Sequence, residues 1–179
     1  HLCDRRQRQM CIRDRNIIGD IRLDRTSWTV TTFAKYSNGQ NYVTDGNTGK
    51  PEDILDGKQS TYLSMIKPGK SMGAYVGTTD PNFTVDMQQP QTFNYFYWQH
   101  RKQNNGYLQV LSVDIYGSND NETFTKINDE VINIIEDLYD TQYFDIPEST
   151  YRYVKVQYRS YSSGGSSAQV AEFGLGLKL

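Results

Sequence analysis

The sequence is poor in the residues on which covalent and metal chemistry most often depends. Both cysteines, Cys3 and Cys11, and one of the two histidines, His1, fall within the first 15 residues, which leaves His100 alone in the rest of the chain. That remainder can form no disulfide, no thiolate metal site and no cysteine nucleophile. One histidine without a nucleophile-elbow motif assembles no catalytic triad. No glycine-rich phosphate cradle follows a strand and opens a helix. Apolar runs stay well short of the roughly 18 residues that span a bilayer, and the N-terminal residues lack the apolar stretch of a signal peptide. Basic residues are not in excess either: 19 Lys and Arg face 21 Asp and Glu, against the concentrated basic face of a nucleic-acid binder. Acidic residues such as Asp129, Glu130, Glu136 and Asp137 cluster where a solvated loop is expected, not as the flanking carboxylates of glycoside hydrolysis. These absences argue against an enzyme.

The first 15 residues stand apart. Met10–Arg15 read MCIRDR, which coincides with the translation of the end of a transposon adapter used to tag DNA for sequencing. The expectation is an artefact over residues 1–15; the other reading is an ordinary basic arm. Without this segment 14 basic and 19 acidic residues remain, a net charge of −5. Residues 16–23 read as a linker from an upstream region, so covalently linked neighbouring domains are expected, with one domain over residues 24–179.

What the sequence does have is aromatic and β-branched character: 13% aromatics, with 14 tyrosines, a composition suited to pleated, half-buried surfaces. Ser27–Phe33 alternates as a first strand. A long polar stretch follows from Lys35 to Asp53, with turn signals at Asp45-Gly46 and Thr48-Gly49; loops of that length tend to be functional. Further strands are predicted at Tyr62–Ile66, Asn82–Met87, Phe93–His100, Gln109–Tyr116, Tyr151–Tyr158 and Val170–Leu177. Within Gln109–Tyr116, alternation places Leu111, Val113 and Ile115 inward. Asp129–Thr141 reads as irregular or extended, with a short helix as the alternative. Many short strands separated by turns indicate an all-β antiparallel sandwich or barrel.

At this level the chain resembles the coagulation factor V/VIII type C, or discoidin, domain, and in style the bacterial family 32 carbohydrate-binding modules. The resemblance is carried, in order, by Trp28-Thr29-Val30, Ile54-Leu55-Asp56-Gly57, Thr61-Tyr62-Leu63 and Phe83-Thr84-Val85-Asp86-Met87. It continues through Tyr116-Gly117-Ser118-Asn119-Asp120, Phe124-Thr125-Lys126-Ile127, Arg152-Tyr153-Val154-Lys155-Val156 and Ala171-Glu172-Phe173. It implies a jelly-roll β-sandwich, galactose-binding-domain-like, with ligand-holding loops at one end. It also implies a place in a larger secreted or surface-anchored bacterial protein: extracellular, on an outer-membrane lipoprotein, or periplasmic. The cysteines that staple vertebrate members are missing, so a glycan is expected as ligand before a phospholipid. A protein- or lipid-binding adhesion domain of the same fold is the alternative.

Two sites are expected. Asp56, Gly57 and Thr61 can fold a short loop around a hard cation, since calcium takes six to eight oxygens from carboxylates, hydroxyls and carbonyls. The resemblance adds the carbonyls of Asp53, Lys58 and Ala171 and the carboxylate of Glu172, making a structural Ca2+ site; a plain Asp-Gly turn is the alternative. For sugar, the stretch from Trp98 to Tyr107 combines a guanidinium fork (Arg101), amides (Asn104, Asn105) and an imidazole (His100) at a strand end. In similar modules an arginine in this place contacts the sugar. Tyr36 and Tyr161 are candidate aromatic platforms, Trp98 is expected in the core, and Lys70 is a minor candidate in the glycine-rich turn region.

Overall fold

Two unusually long strands organise the chain. A computed structural model describes residues 20–33, 42–44, 46–73, 75–102 and 106–179. Its strands are β1 (Asp20–Arg22), β2 (Thr29–Phe33), β3 (Leu63–Ile66), β4 (Ser71–Met72), β5 (Tyr75–Val76) and β6 (Asn82–Gln99). They continue as β7 (Val110–Ser118), β8 (Thr125–Lys126), β9 (Ile132–Asn133), β10 (Gln142–Tyr161), β11 (Ser167–Val170) and β12 (Glu172–Lys178). Two 3-10 turns, Pro51–Leu55 and Gly106–Leu108, are the helical pieces among the described residues.

β6 and β10, of 18 and 20 residues, pair antiparallel with register breaks between Asp145 and Ser149 and between Tyr151 and Tyr153. Strands rarely run beyond about 10 residues without bending, and such breaks are where a strand kinks. Gln88, with φ of +70°, and the exposed stretch Gln88–Pro90 mark the bend in β6. Before it β6 pairs with β2, and after it with β12. β7 lies on the other edge of β10, β8 and β9 on β7, and β1 outside β12. The antiparallel sheet thus curls on itself into a sandwich. Phe83, from the first half of β6, packs 5.2 Å from Phe173 of β12 and 6.5 Å from Trp98 of the second half. Both halves supply the core, with Val85, Phe96, Val113, Ile115, Val154, Val156 and Leu175 fully buried.

The second half of β6 is buried on both sides. Phe96 and Trp98 face the core, whereas Tyr95 and Tyr97 lie on the outer face against Tyr143. A Cβ on Gly174 or Gly176 would sit 2.1 Å from the Tyr97 or Tyr95 ring. The glycines of β12 are what let these rings lie across it.

Several expectations change. Asn82–Met87 and Phe93–Gln99 are the halves of one strand, because β10 pairs with it on both sides of the bend, at Asp86 and at Gln91, and skips the residues between. Val170–Leu177 divides at Ala171 into β11, which pairs with β3, and β12, which pairs with β6. The expectation for Asp129–Thr141 holds: the segment is extended, with β9 and a turn at Glu136–Asp137. Leu111 is only half-buried, while Val113 and Ile115 are fully inside. Asp20–Arg22, expected within the linker, instead extends the sheet as β1, with Asp20 opposite Lys178; three residues are too few to show a period. Residues 1–15 lie outside the described residues.

Candidate functional site

Lys67 ties together the loops at one end of the sandwich. It is buried directly after β3, and its Nζ donates to the carbonyl oxygens of Tyr107 (2.7 Å), Ser162 (2.8 Å) and Gly164 (2.6 Å). Burial and nearby Lys70 hold the ammonium below the usual lysine range. Above this strut lies a pocket of about 510 Å³, lined among others by Tyr62, Ser64, Met72, Arg101, Tyr107 and Gln169.

Arg101 follows the end of β6 and is fixed from two sides. Its guanidinium lies 3.9 Å from the Tyr62 ring centroid, the face-on arrangement a planar cation prefers. Its Nη1 donates to Gln169 Oε1 at 2.8 Å, and Gln169 Nε2 donates to Ser64 Oγ at 3.3 Å. Among the described residues, Arg101 Nε and Nη2 have no partner. Tyr107, 40% exposed, rests on the loop between β10 and β11. There Gly165 has φ of +66°, and a Cβ on it would come within 2.6 Å of Tyr107 and Leu108. Only glycine combines that left-handed backbone with so close an approach. Thr44, Ser64, Ser166 and Ser167 and the apolar Val43, Met72 and Leu108 complete the walls.

Of the six residues expected to touch sugar, the structure brings Arg101 into this pocket. Tyr36, Asn104 and Asn105 lie outside the described residues. His100 is not in the pocket: it is fully buried, with Nε2 2.9 Å from the Ile135 carbonyl and Nδ1 accepting from Trp98 Nε1 at 3.4 Å. Burial lowers its pKa, and the Ile135 hydrogen bond and Asp137 only partly offset this. The reason is parity: His100 falls on the same side of the strand as Phe96 and Trp98, and Trp98 is in the core as expected. Tyr161 is also absent from the pocket lining. Register shifts at Ser160 turn it towards Tyr158, 6.4 Å away, with its hydroxyl enclosed and, among the described residues, unpartnered. Lys70 is exposed and lies outside the lining. Sequence reasoning missed Lys67, Tyr62 and Gln169, whose roles depend on partners distant in the chain. Tyr107 ended the stretch that was singled out.

The expected cation loop forms a second cluster. Asp56 Oδ1 accepts from the Lys58 amide at 2.8 Å and Oδ2 from Thr61 Oγ1 at 2.5 Å, with the Lys58 carbonyl 3.4 Å from that hydroxyl. Glu172 reaches the same loop, its Oε1 accepting from the Gly57 amide at 2.7 Å. Its Oε2 accepts from Arg25 Nη1 at 2.7 Å, and the same Nη1 reaches the carbonyls of Ile54 and Phe173. Burial pushes the Glu172 carboxyl up to about 7; Arg25 and Gly57 oppose this, and nearby Asp56 adds to it. Asp53 turns aside, its carboxylate accepting from the Lys50 amide. The Ala171 amide donates to the Gln99 carbonyl. Among the described residues no three acidic, histidine or cysteine side chains gather around one point. The expected set contains only two carboxylates, the rest being neutral oxygens. These oxygen-only donors, with a desolvated carboxylate beside a second one, fit a hard cation; Arg25 supplies positive charge on one side of Glu172.

A smaller cleft of about 320 Å³ lies among Arg22, Arg25, Leu55 and Tyr97. No helix among the described residues is long and apolar enough to cross a membrane.

Comparison with solved structures places this architecture among known sandwiches. CpGH89CBM32-5 from Clostridium perfringens, solved with GalNAc-β-1,3-galactose, superposes with a TM-score of 0.65 at 17% identity over 87% of this chain and 99% of its own. An F5/8 type C domain from Bacteroides fragilis gives 0.69 at 16% identity, covering 89% and 97%. CBM32-3 from a family 31 glycoside hydrolase of C. perfringens gives 0.67 at 15% identity, covering 86% and 93%. Comparison with curated protein sequences returned no match. The family model of the F5/8 type C domain matches residues 34–173, most of the sandwich described above, and the chain belongs to that family.

Proposed function

We propose that this domain is a non-catalytic carbohydrate-binding module that captures a glycan in the pocket around Arg101. The observation that carries the reading is the fixed guanidinium. Arg101 is stacked on Tyr62 and held by Gln169, and no described residue takes its Nε and Nη2 donors, which would serve a ligand. A sugar offers adjacent hydroxyls, which a rigid fork can bind together, and a face of C–H bonds, which the exposed Tyr107 ring can cover. The serine hydroxyls both donate and accept. The glycan in the C. perfringens complex supports this choice of ligand.

Calcium belongs to the proposal as a structural ion. Asp56, Glu172, the Thr61 hydroxyl and the Lys58 carbonyl would hold it, with the carbonyls of Asp53 and Ala171 as further donors. The ion would supply charge compensation between the first long loop and the last strand. The domain would act outside the cytoplasm, on a surface or in a periplasm, joined to neighbouring domains as in the glycoside hydrolase relative. Weak capture by one module would be strengthened by several on one chain.

A glycan array probed with wild type, Arg101→Ala and Tyr107→Ala tests the site. Binding by wild type and a loss of tenfold or more in each variant, with the fold retained by circular dichroism, are expected. Equal binding by all three, or no glycan bound by wild type, would overturn the reading.

A further inference from the structure

We propose that the pocket selects a carboxylate-bearing sugar, one of the uronic or sialic acid type, over its neutral counterpart. This deepens the glycan reading above and rests on it. Arg101 is the only charged residue among the pocket's described lining, and among the described residues it contacts no carboxylate: its partners there are an amide oxygen and a ring. Elsewhere in the same protein Arg25, Arg152 and Arg159 each contact an acidic side chain. Lys67, beneath the loops that frame the pocket, is likewise held by carbonyls alone. Two cations with no acidic partner among the described residues thus sit at one end of a chain whose residues 16–179 carry a net charge of −5.

The free edge of Arg101 has the right form for a carboxylate. Gln169 takes Nη1, leaving Nε–H and Nη2–H, two roughly parallel donors that match the two oxygens of a carboxylate. Arg152 demonstrates this mode within the same protein, its Nε and Nη2 donating to Asp86 Oδ1 and Oδ2 at 2.9 and 3.1 Å. A half-buried guanidinium gains more from an anion than an exposed one does, because less water screens the pair.

Calorimetry with two matched pairs of probes tests this: oligogalacturonate against its methyl ester, and sialyllactose against lactose. At pH 7 and low salt, at least one acidic probe is expected to bind tenfold or more tighter than its neutral partner. That preference should shrink in 0.5 M NaCl and vanish in Arg101→Gln, while Arg101→Lys keeps part of it. Both variants should keep the wild-type fold by circular dichroism. Neutral probes binding as tightly as acidic ones, or a preference that survives Arg101→Gln, would overturn the inference and leave the glycan reading standing. Failure of all four probes to bind, alongside glycan-array binding to other neutral sugars, would also overturn it; an empty array would remove both.

Discussion

Replacing Lys67 with methionine isolates the strut beneath the pocket, because the apolar chain fills much the same space without its three donors. Each charge-assisted hydrogen bond is worth about 1.5–3 kcal/mol, and three of them end on the Tyr107, Ser162 and Gly164 carbonyls. Those values are net of the cost of keeping the ammonium out of water. The net destabilisation is about 2–4 kcal/mol, since water can reach part of these surface loops. For a domain of this size that lowers the melting temperature by about 4–16 °C. Glycan affinity should fall as well, although Lys67 is not in the pocket lining, because Tyr107 and Gly164 lose their common anchor. Calorimetric melting and glycan titration of the same preparations read both effects. A melting point within about 1 °C of wild type together with unchanged affinity would refute the strut.

Two further perturbations test separate parts of the account. The hydrogen bonds from Arg152 hold the Asp86 carboxyl below the usual aspartate range, against a smaller opposing effect of burial. The stabilisation is therefore complete above the unfolded value near pH 4 and is lost as pH falls through the lower folded value. Asp86→Asn should flatten the acid side of stability, measured as urea midpoints between pH 5 and 2; an unaltered slope would contradict the pairing. Calcium should raise the melting temperature over that in chelator, by up to about 2.7 kcal/mol of stability at a hundredfold excess over its dissociation constant. Asp56→Asn should abolish the rise, and superimposed wild-type curves would count against the ion.

Strands with one face in the core were readable as such. Asn82–Met87 alternates strictly between buried and half-buried positions, and Tyr153–Tyr158 does the same. β3 and β11 are buried at every position, so no alternation shows their limits. Gln88–Gln91 carries turn-like polarity, yet it bends inside a continuous strand because β10 bends with it. His100 is polar and stands beside a turn, which pointed outward, but strand parity put it in the core. Tyr161 was misplaced by register shifts that only the pairing with β7 reveals. Arg101's place in the pocket lining was legible because a strand end is a local feature. Its holders, Tyr62 and Gln169, were not, since they come from strands brought together by the fold.

The location of the bound glycan is the most direct test. An NMR titration of ¹⁵N-labelled protein with the tightest ligand from the array should shift the amides of Tyr62, Ser64, Arg101, Tyr107, Ser166 and Gln169. The amides around Arg22, Arg25 and Tyr97 should stay still. Shifts confined to that second cleft, with the Arg101 pocket silent, would contradict the account.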